Sequence, residues 1–167
     1  MSTRCMIGFY NEEPKSDEDI KNKHQALIYK HWDGYPTYKD ENGTEYGVIA
    51  ILEDFLTKFN KGRGLTDIEY ASARTLQHLC NMSDNPNDTY GSNFLGYGIA
   101  KEVNHTDIEF FYAVYPKAFK AYAVQRDYET RDENGEKTYP LSFSELHTIE
   151  IKEDEEEKGQ IIVSKIK

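Results

Sequence analysis

Several scarcities narrow this chain before any motif does. It has two cysteines, Cys5 and Cys80, far apart and without a CxxC, which excludes a disulfide framework or a cysteine zinc site. Apolar runs are short. None at the N-terminus suits a signal peptide and none spans a membrane, so a cytoplasmic protein is expected, with the sequons at Asn42, Asn81, Asn87 and Asn104 unused. Positive charge is also short: 20 Lys and Arg face 30 Asp and Glu, a formal charge of -10. Direct nucleic-acid binding needs the opposite footprint and is not expected. The excess suits acidic surface offered to a basic partner, or simply solubility. P-loop, dinucleotide-binding and nucleophile-elbow patterns are missing. The five histidines are scattered, and Asp17-Glu18-Asp19 lacks calcium-loop spacing. No catalytic residue, cofactor or metal site is therefore expected.

What is abundant is aromatic: 13 Tyr, 8 Phe and one Trp in 167 residues. Each ring buries a large area, so a lean hydrophobic fraction still supports a core. Alternation makes Thr3 to Tyr10 a strand with Cys5, Ile7 and Phe9 on one face. Asn11 to Lys23 is polar and reads as a loop or a frayed turn. Gln25 to Trp32 is a second strand, antiparallel to the first and inside a sheet because neither face is polar. Asn42-Gly43 marks a turn-rich insertion. Gly47 to Phe59 has helical spacing, closed by Gly62 and Gly64. Thr66 or Asp67 caps a second helix carrying Ile68, Ala71, Leu76, Leu79 and Cys80. Ser83 to Ser92 is an Asn/Asp-rich loop. Gly96 to Val103, Ile108 to Tyr115 and Phe119 to Tyr128 follow as an antiparallel meander, with a tight connection at Asn104 to Asp107. Asn134-Gly135 signals a hairpin turn. The expected fold is α+β: an antiparallel sheet with helices on one face over residues 1–128. Residues 129–167 are expected to add a hairpin extension whose acidic tip carries Glu153, Asp154, Glu155 and Glu156.

The densest chemistry lies in His31-Trp32-Asp33-Gly34-Tyr35-Pro36. Its rings offer stacking surfaces, and His31 and Asp33 can exchange protons. The plain alternative is a structural turn in which Trp32 and Tyr35 plug the core and Gly34 supplies a backbone angle closed to other residues. Arg4 either binds a carboxylate or phosphate or pairs with Asp33 across the two strands. Candidate ligand- or partner-binding residues are thus Arg4, His31, Trp32, Asp33 and Tyr35, with the four tip acids.

Ser2-Thr3-Arg4 followed by Tyr29-Lys30-His31-Trp32-Asp33-Gly34-Tyr35-Pro36 and a helix resembles a family of small uncharacterised phage, prophage and bacterial proteins. These begin with a Ser- or Gly-Thr-Arg strand followed by a Tyr-Arg-x-aromatic-Asp-Gly-Tyr-Pro turn; Lys30 stands where Arg is common. Gly96 to Ile99 and Phe110 to Tyr115 are similar too, so the resemblance covers Ser2 to Gln125. It brings no activity and no catalytic residues. It implies a mobile-element origin, host cytoplasm, and a small acidic protein acting on a host protein such as a defence or nucleic-acid enzyme. The other open reading is a small-molecule binder or hydrolase with its pocket at the turn.

Overall fold

The computed structural model describes residues 3–39, 41–43, 45–81, 96–103, 107–153 and 161–166, with backbone alone at 38, 39, 45, 46, 151–153 and 161–166. It is α+β, a mostly antiparallel open sheet with helices packed on it. Strands β1 (Cys5–Tyr10) and β2 (His24–Lys30) pair antiparallel, with Cys5 opposite Lys30. Helices α2 (Val48–Gly62) and α3 (Ile68–Asn81) follow, then β5 (Tyr97–Ile99), β6 (Phe110–Tyr115), β7 (Ala118–Arg126), β8 (Leu141–Glu153) and β9 (Ile161–Ile166). Between β2 and α2, β3 (Tyr38–Lys39) and β4 (Glu45–Tyr46) form a small hairpin around the expected turn.

The main sheet runs β5-β2-β1-β6-β7-β8-β9. This corrects the expected meander at its first step. β5 pairs with the outer edge of β2, and β6 lies beside β1 in parallel, Cys5 opposite Phe110. The two central strands are buried on both sides, as parallel pairing favours. Period-two alternation then sends Cys5, Ile7, Phe9, Tyr112 and Val114 to one face, and Met6, Tyr10, Phe111, Ala113 and Tyr115 to the other. The first face takes α2 and α3. The second is closed by α1 (Asp17–Asn22), Val103, Ile108 and Leu141.

Asn11 to Lys23 is therefore not all loop. Ser16 caps α1 by accepting from the Asp19 amide at 3.1 Å, and three acids in the first turn suit a helix N-terminus. Ile20 pins the short helix to the core, and the Tyr10 hydroxyl donates to the Ile20 carbonyl at 2.7 Å. The cap of α3 is Asp67, whose carboxylate accepts from the Tyr70 amide at 3.1 Å. Its buried stripe runs Ile68, Ala71, Ser72, Thr75, Leu79; Leu76 and Cys80 are only half-buried. Ser72 and Thr75 tolerate burial because each hydroxyl donates to a carbonyl of its own helix, Glu69 at 2.6 Å and Ala71 at 2.9 Å.

The expected boundary near Tyr128 cuts through the sheet. β8 pairs with β7 along its length, from Ala118 opposite Glu150 to Arg126 opposite Leu141, and places Ile149 and Leu141 in the two faces of the core. Asn134-Gly135 does turn the chain: Gly135 has φ 78° and its amide donates to the Asp132 carbonyl at 3.0 Å. The Ser83 to Ser92 loop, most of the Asn104 to Asp107 connection and the tip at 154–160 lie outside the described residues. Among the described residues no helix is long and apolar enough to cross a membrane.

Candidate functional site

The His31 to Pro36 turn leaves the top of β2 and is tied down through its backbone. The His31 amide donates to the Gly96 carbonyl at 2.8 Å, and the Gly34 amide to the Thr3 carbonyl at 2.9 Å. The buried Tyr112 hydroxyl donates to the Gly34 carbonyl at 2.8 Å, and Lys30 Nζ donates to the Trp32 carbonyl. Tyr35 and Pro36 carbonyls accept from the Val48 and Ile49 amides at 2.9 and 3.1 Å, so the turn caps α2. Gly47, the cap residue, has φ 128°, and a Cβ there would run into the Pro36 carbonyl.

Gly34 is needed for a different reason from the one expected. The left-handed backbone belongs to Asp33, at φ 53°. At Gly34 a Cβ would sit 2.8 Å from the Arg4 carbonyl carbon and the Cys5 nitrogen, so the turn packs directly on the β1 backbone.

The side chains do not follow the plain structural reading. Trp32 and Tyr35 do not plug the core; they are 38% and 39% exposed. Trp32 makes a T-shaped contact with His31 at 4.8 Å, and Tyr35 leans on Phe110 at 6.3 Å. Asp33, between them in the sequence, is exposed too. Below, Lys30 is buried against the Tyr97 ring at 5.2 Å; burial lowers its pKa, with Cys5 and Asp33 opposing. Burial pushes the Cys5 thiol up to about 12, so it stays protonated and unreactive.

Arg4 and His31 do come together, but Asp33 is not Arg4's partner. Arg4 Nη1 pairs with Asp107 at 2.8 Å, and Nε donates to His31 Nδ1 at 3.4 Å. The Tyr29 hydroxyl lies 3.1 Å from the same nitrogen. An Nδ1 that accepts from Arg4 leaves the ring proton on Nε2. Burial raises the Tyr29 pKa, with the Asp107 charge adding to it, so the phenol remains a donor. Asp107 reaches Arg4 because the parallel register brings the chain before β6 alongside it: Glu109 and Phe110 amides both donate to the Arg4 carbonyl, at 3.0 and 3.4 Å. Nothing local in the sequence announces that partner.

Of the four tip acids, Glu153 ends β8 with its backbone alone described, and Asp154, Glu155 and Glu156 lie outside the described residues. Described acids instead gather at Lys120, bridged by Glu13 at 2.9 Å and Glu145 at 2.8 Å. Among the described residues no group of three His, Cys, Asp or Glu is arranged to hold a metal.

Sequence reasoning missed a groove of ≈ 520 Å³ between α2 and α3, lined by Lys58, Arg63 and Arg74 with Phe55, Phe59 and Tyr70. The signal was available in the i,i+4 pair Tyr70 and Arg74. No protein family, curated protein or solved structure matches the chain.

Proposed function

We propose that this is a small acidic binding protein that engages basic surface on a host protein in the host cytoplasm, with the His31 to Pro36 turn as its anchor. The observation that carries the reading is the exposure of Trp32 and Tyr35, at 38% and 39%, on a turn whose backbone is tied to β1, β6 and α2. Large rings held on rigid backbone bind at low entropic cost, and Trp and Tyr dominate binding hot spots. Exposed Asp33 in the same turn suits a Lys or Arg of the partner, since a carboxylate and aromatic rings both favour a cation. The net charge of -10 speeds encounter with a basic partner. The resemblance to phage and prophage proteins supports a host defence or nucleic-acid enzyme as the target, antagonised by occupation of its basic surface.

The test is capture from host lysate on immobilised protein, with a Trp32→Ala/Tyr35→Ala variant beside the parent and mass spectrometry of retained proteins and small molecules. A partner held by the parent and lost by the folded variant supports the reading. Its association should slow with salt, as the Debye length falls from about 30 Å at 0.01 M to about 8 Å at 0.15 M. Neutralising Glu153, Asp154, Glu155 and Glu156 together should slow it further if the tip contributes. A partner equally retained by the variant would remove the turn from recognition.

A second reading, a small-molecule binder or hydrolase at the turn, draws on the convergence of Arg4 and His31 at 3.4 Å. A retained small molecule released by Arg4→Gln would favour it.

A further inference from the structure

The α2–α3 groove runs against the charge of the chain as a whole. In a chain with 30 acids and 20 bases, its lining holds Lys58, Arg63 and Arg74 and no Asp or Glu. Its cations differ in how they are used. Lys58 pairs with Asp54 at 2.7 Å, and Arg63 reaches Asp67 only at 3.7 Å. No carboxylate among the described residues lies within ion-pair distance of Arg74. That guanidinium is nevertheless fixed. Nε and Nη2 donate to the Tyr70 hydroxyl at 2.8 and 2.6 Å, and Nη1 to Gln77 Oε1 at 2.7 Å. Neutral acceptors set its orientation without cancelling its charge, and part of its fork stays open for an oxyanion.

The groove also presents ring surface. Tyr70 and Phe59 lie 6.1 Å apart at 38°, both half-buried, and the Arg63 guanidinium sits 4.0 Å from the Tyr70 centroid. Deeper in, His78 Nε2 is buried 3.4 Å from the Asp54 carboxylate without a hydrogen bond to it. A polyanion does not fit this setting. Three cations make a small footprint, and the surrounding negative charge repels a long phosphate backbone. A ligand with one anionic head and one flat ring does fit, and the volume lies in the usual range for small-molecule sites.

We propose that the α2–α3 groove binds a nucleoside monophosphate, its phosphate on the Arg74 fork beside Lys58 and its base against the Phe59 ring and the Arg63 guanidinium that covers Tyr70. The site is separate from the turn and independent of the function proposed for it.

The experiment is a titration of the full, isotope-labelled chain with AMP, followed by amide resonances and calorimetry. AMP should move the resonances of Phe59, Arg63, Tyr70 and Arg74 and leave that of Trp32 in place. Adenosine and inorganic phosphate should each bind at least about 10-fold more weakly, because each makes half the contacts. Arg74→Gln, an exposed change that the circular dichroism spectrum should not register, is expected to weaken AMP by about 10- to 100-fold. Arg74→Lys should recover only part of that loss, since an ammonium lacks the fork. No groove shifts at millimolar AMP, or AMP affinity untouched by Arg74→Gln, would overturn the proposal. Phosphate alone binding as tightly as AMP would overturn the nucleotide class. A hexaglutamate peptide binding there while AMP does not would reassign the groove to acidic peptides.

Discussion

The two ends of α2 carry the same ingredients, aromatic rings beside charge, and hold them in opposite ways. At its N-terminus the rings ride on a turn whose amides and carbonyls are bonded to Thr3, Tyr112, Val48 and Ile49. The side chains of Trp32, Asp33 and Tyr35 are exposed and contribute little to that anchoring. At its C-terminus, a rise of about 22 Å away for fifteen residues, the side chains of Tyr70, Arg74, Gln77 and Arg63 hold one another. The difference separates stability from recognition. Backbone-held rings can be changed without loss of fold, whereas the glycine and tyrosine that carry them cannot. In the groove, the residues that shape the site are also those that would meet a ligand, so a substitution there is felt locally.

The largest effect should come from Gly34→Val. Extra atoms would meet the β1 backbone at 2.8 Å, and the strand cannot move without disturbing both faces of the core. A loss of about 3 kcal/mol or more is expected, read as a collapsed thermal melt. Next is Tyr112→Phe. It leaves the buried Gly34 carbonyl without its 2.8 Å donor and should cost about 1–3 kcal/mol, seen as a lower denaturant midpoint at unchanged m-value. Trp32→Ala, beside it, should cost less than Tyr112→Phe, because the ring belongs to neither buried cluster of the core. Should Trp32→Ala cost as much as Tyr112→Phe, the rings belong to the fold and the contrast between the two ends is lost.

Asp33 sharpens the same contrast on a smaller scale. It holds φ 53°, which an Asp tolerates better than most residues. Asp33→Gly should be neutral to slightly stabilising, and Asp33→Ala should be less stable than Asp33→Gly by about 0.5–1 kcal/mol. Both would remove the exposed carboxylate. If the fold is indifferent to both while capture of the partner is weakened by both, the charge serves recognition. Equal melts for the alanine and glycine variants would mean that the backbone angle relaxes.

How much was legible follows from which signals are local. Period-two alternation placed β1 and β2 and the faces of Cys5, Ile7 and Phe9. Helical spacing placed α2, and Asn134-Gly135 marked its turn. The meeting of Arg4 and His31 follows from pairing those two strands, Cys5 opposite Lys30. The parallel contact of β1 with β6 is carried by no local period, so Asp107 could not be named and Asp33 took its place. Burial of Ser72 and Thr75 was hidden because their polarity is satisfied within α3 itself. Trp32 and Tyr35 were ambiguous for a plainer reason: hydrophobicity says that a ring prefers burial, and only the backbone direction of the turn says that these two do not obtain it. Residues 129–167 looked separable because a polar hairpin precedes β8, yet Leu141 and Ile149 complete the core.

The smallest expected effect distinguishes the two ends by pH. Each has a base that burial disfavours in its charged form. In the groove it is His78, whose pKa burial lowers from its ordinary 6.5, with Asp54 opposing and Lys58 assisting. At the turn it is Lys30, lowered from 10.5 chiefly by burial. A base whose folded pKa is depressed binds its proton more readily in the unfolded chain, so stability falls as pH drops through the window between the two values. For His78 that window opens below its ordinary 6.5, and for Lys30 it opens below 10.5, far on the alkaline side. Denaturant unfolding at pH about 7.5 and about 5.5, above the range where most carboxylates titrate, should therefore show a shallow acid-side loss assigned to the groove. Phe55, 5.7 Å from the imidazole, and the pair Asp54 and Lys58 are the neighbours that set it. His78→Gln should flatten the loss while leaving the neutral-pH melt close to the parent. Lys30→Met should leave the acid-side loss intact. The reverse pattern would place the sensitive base at the turn rather than in the groove.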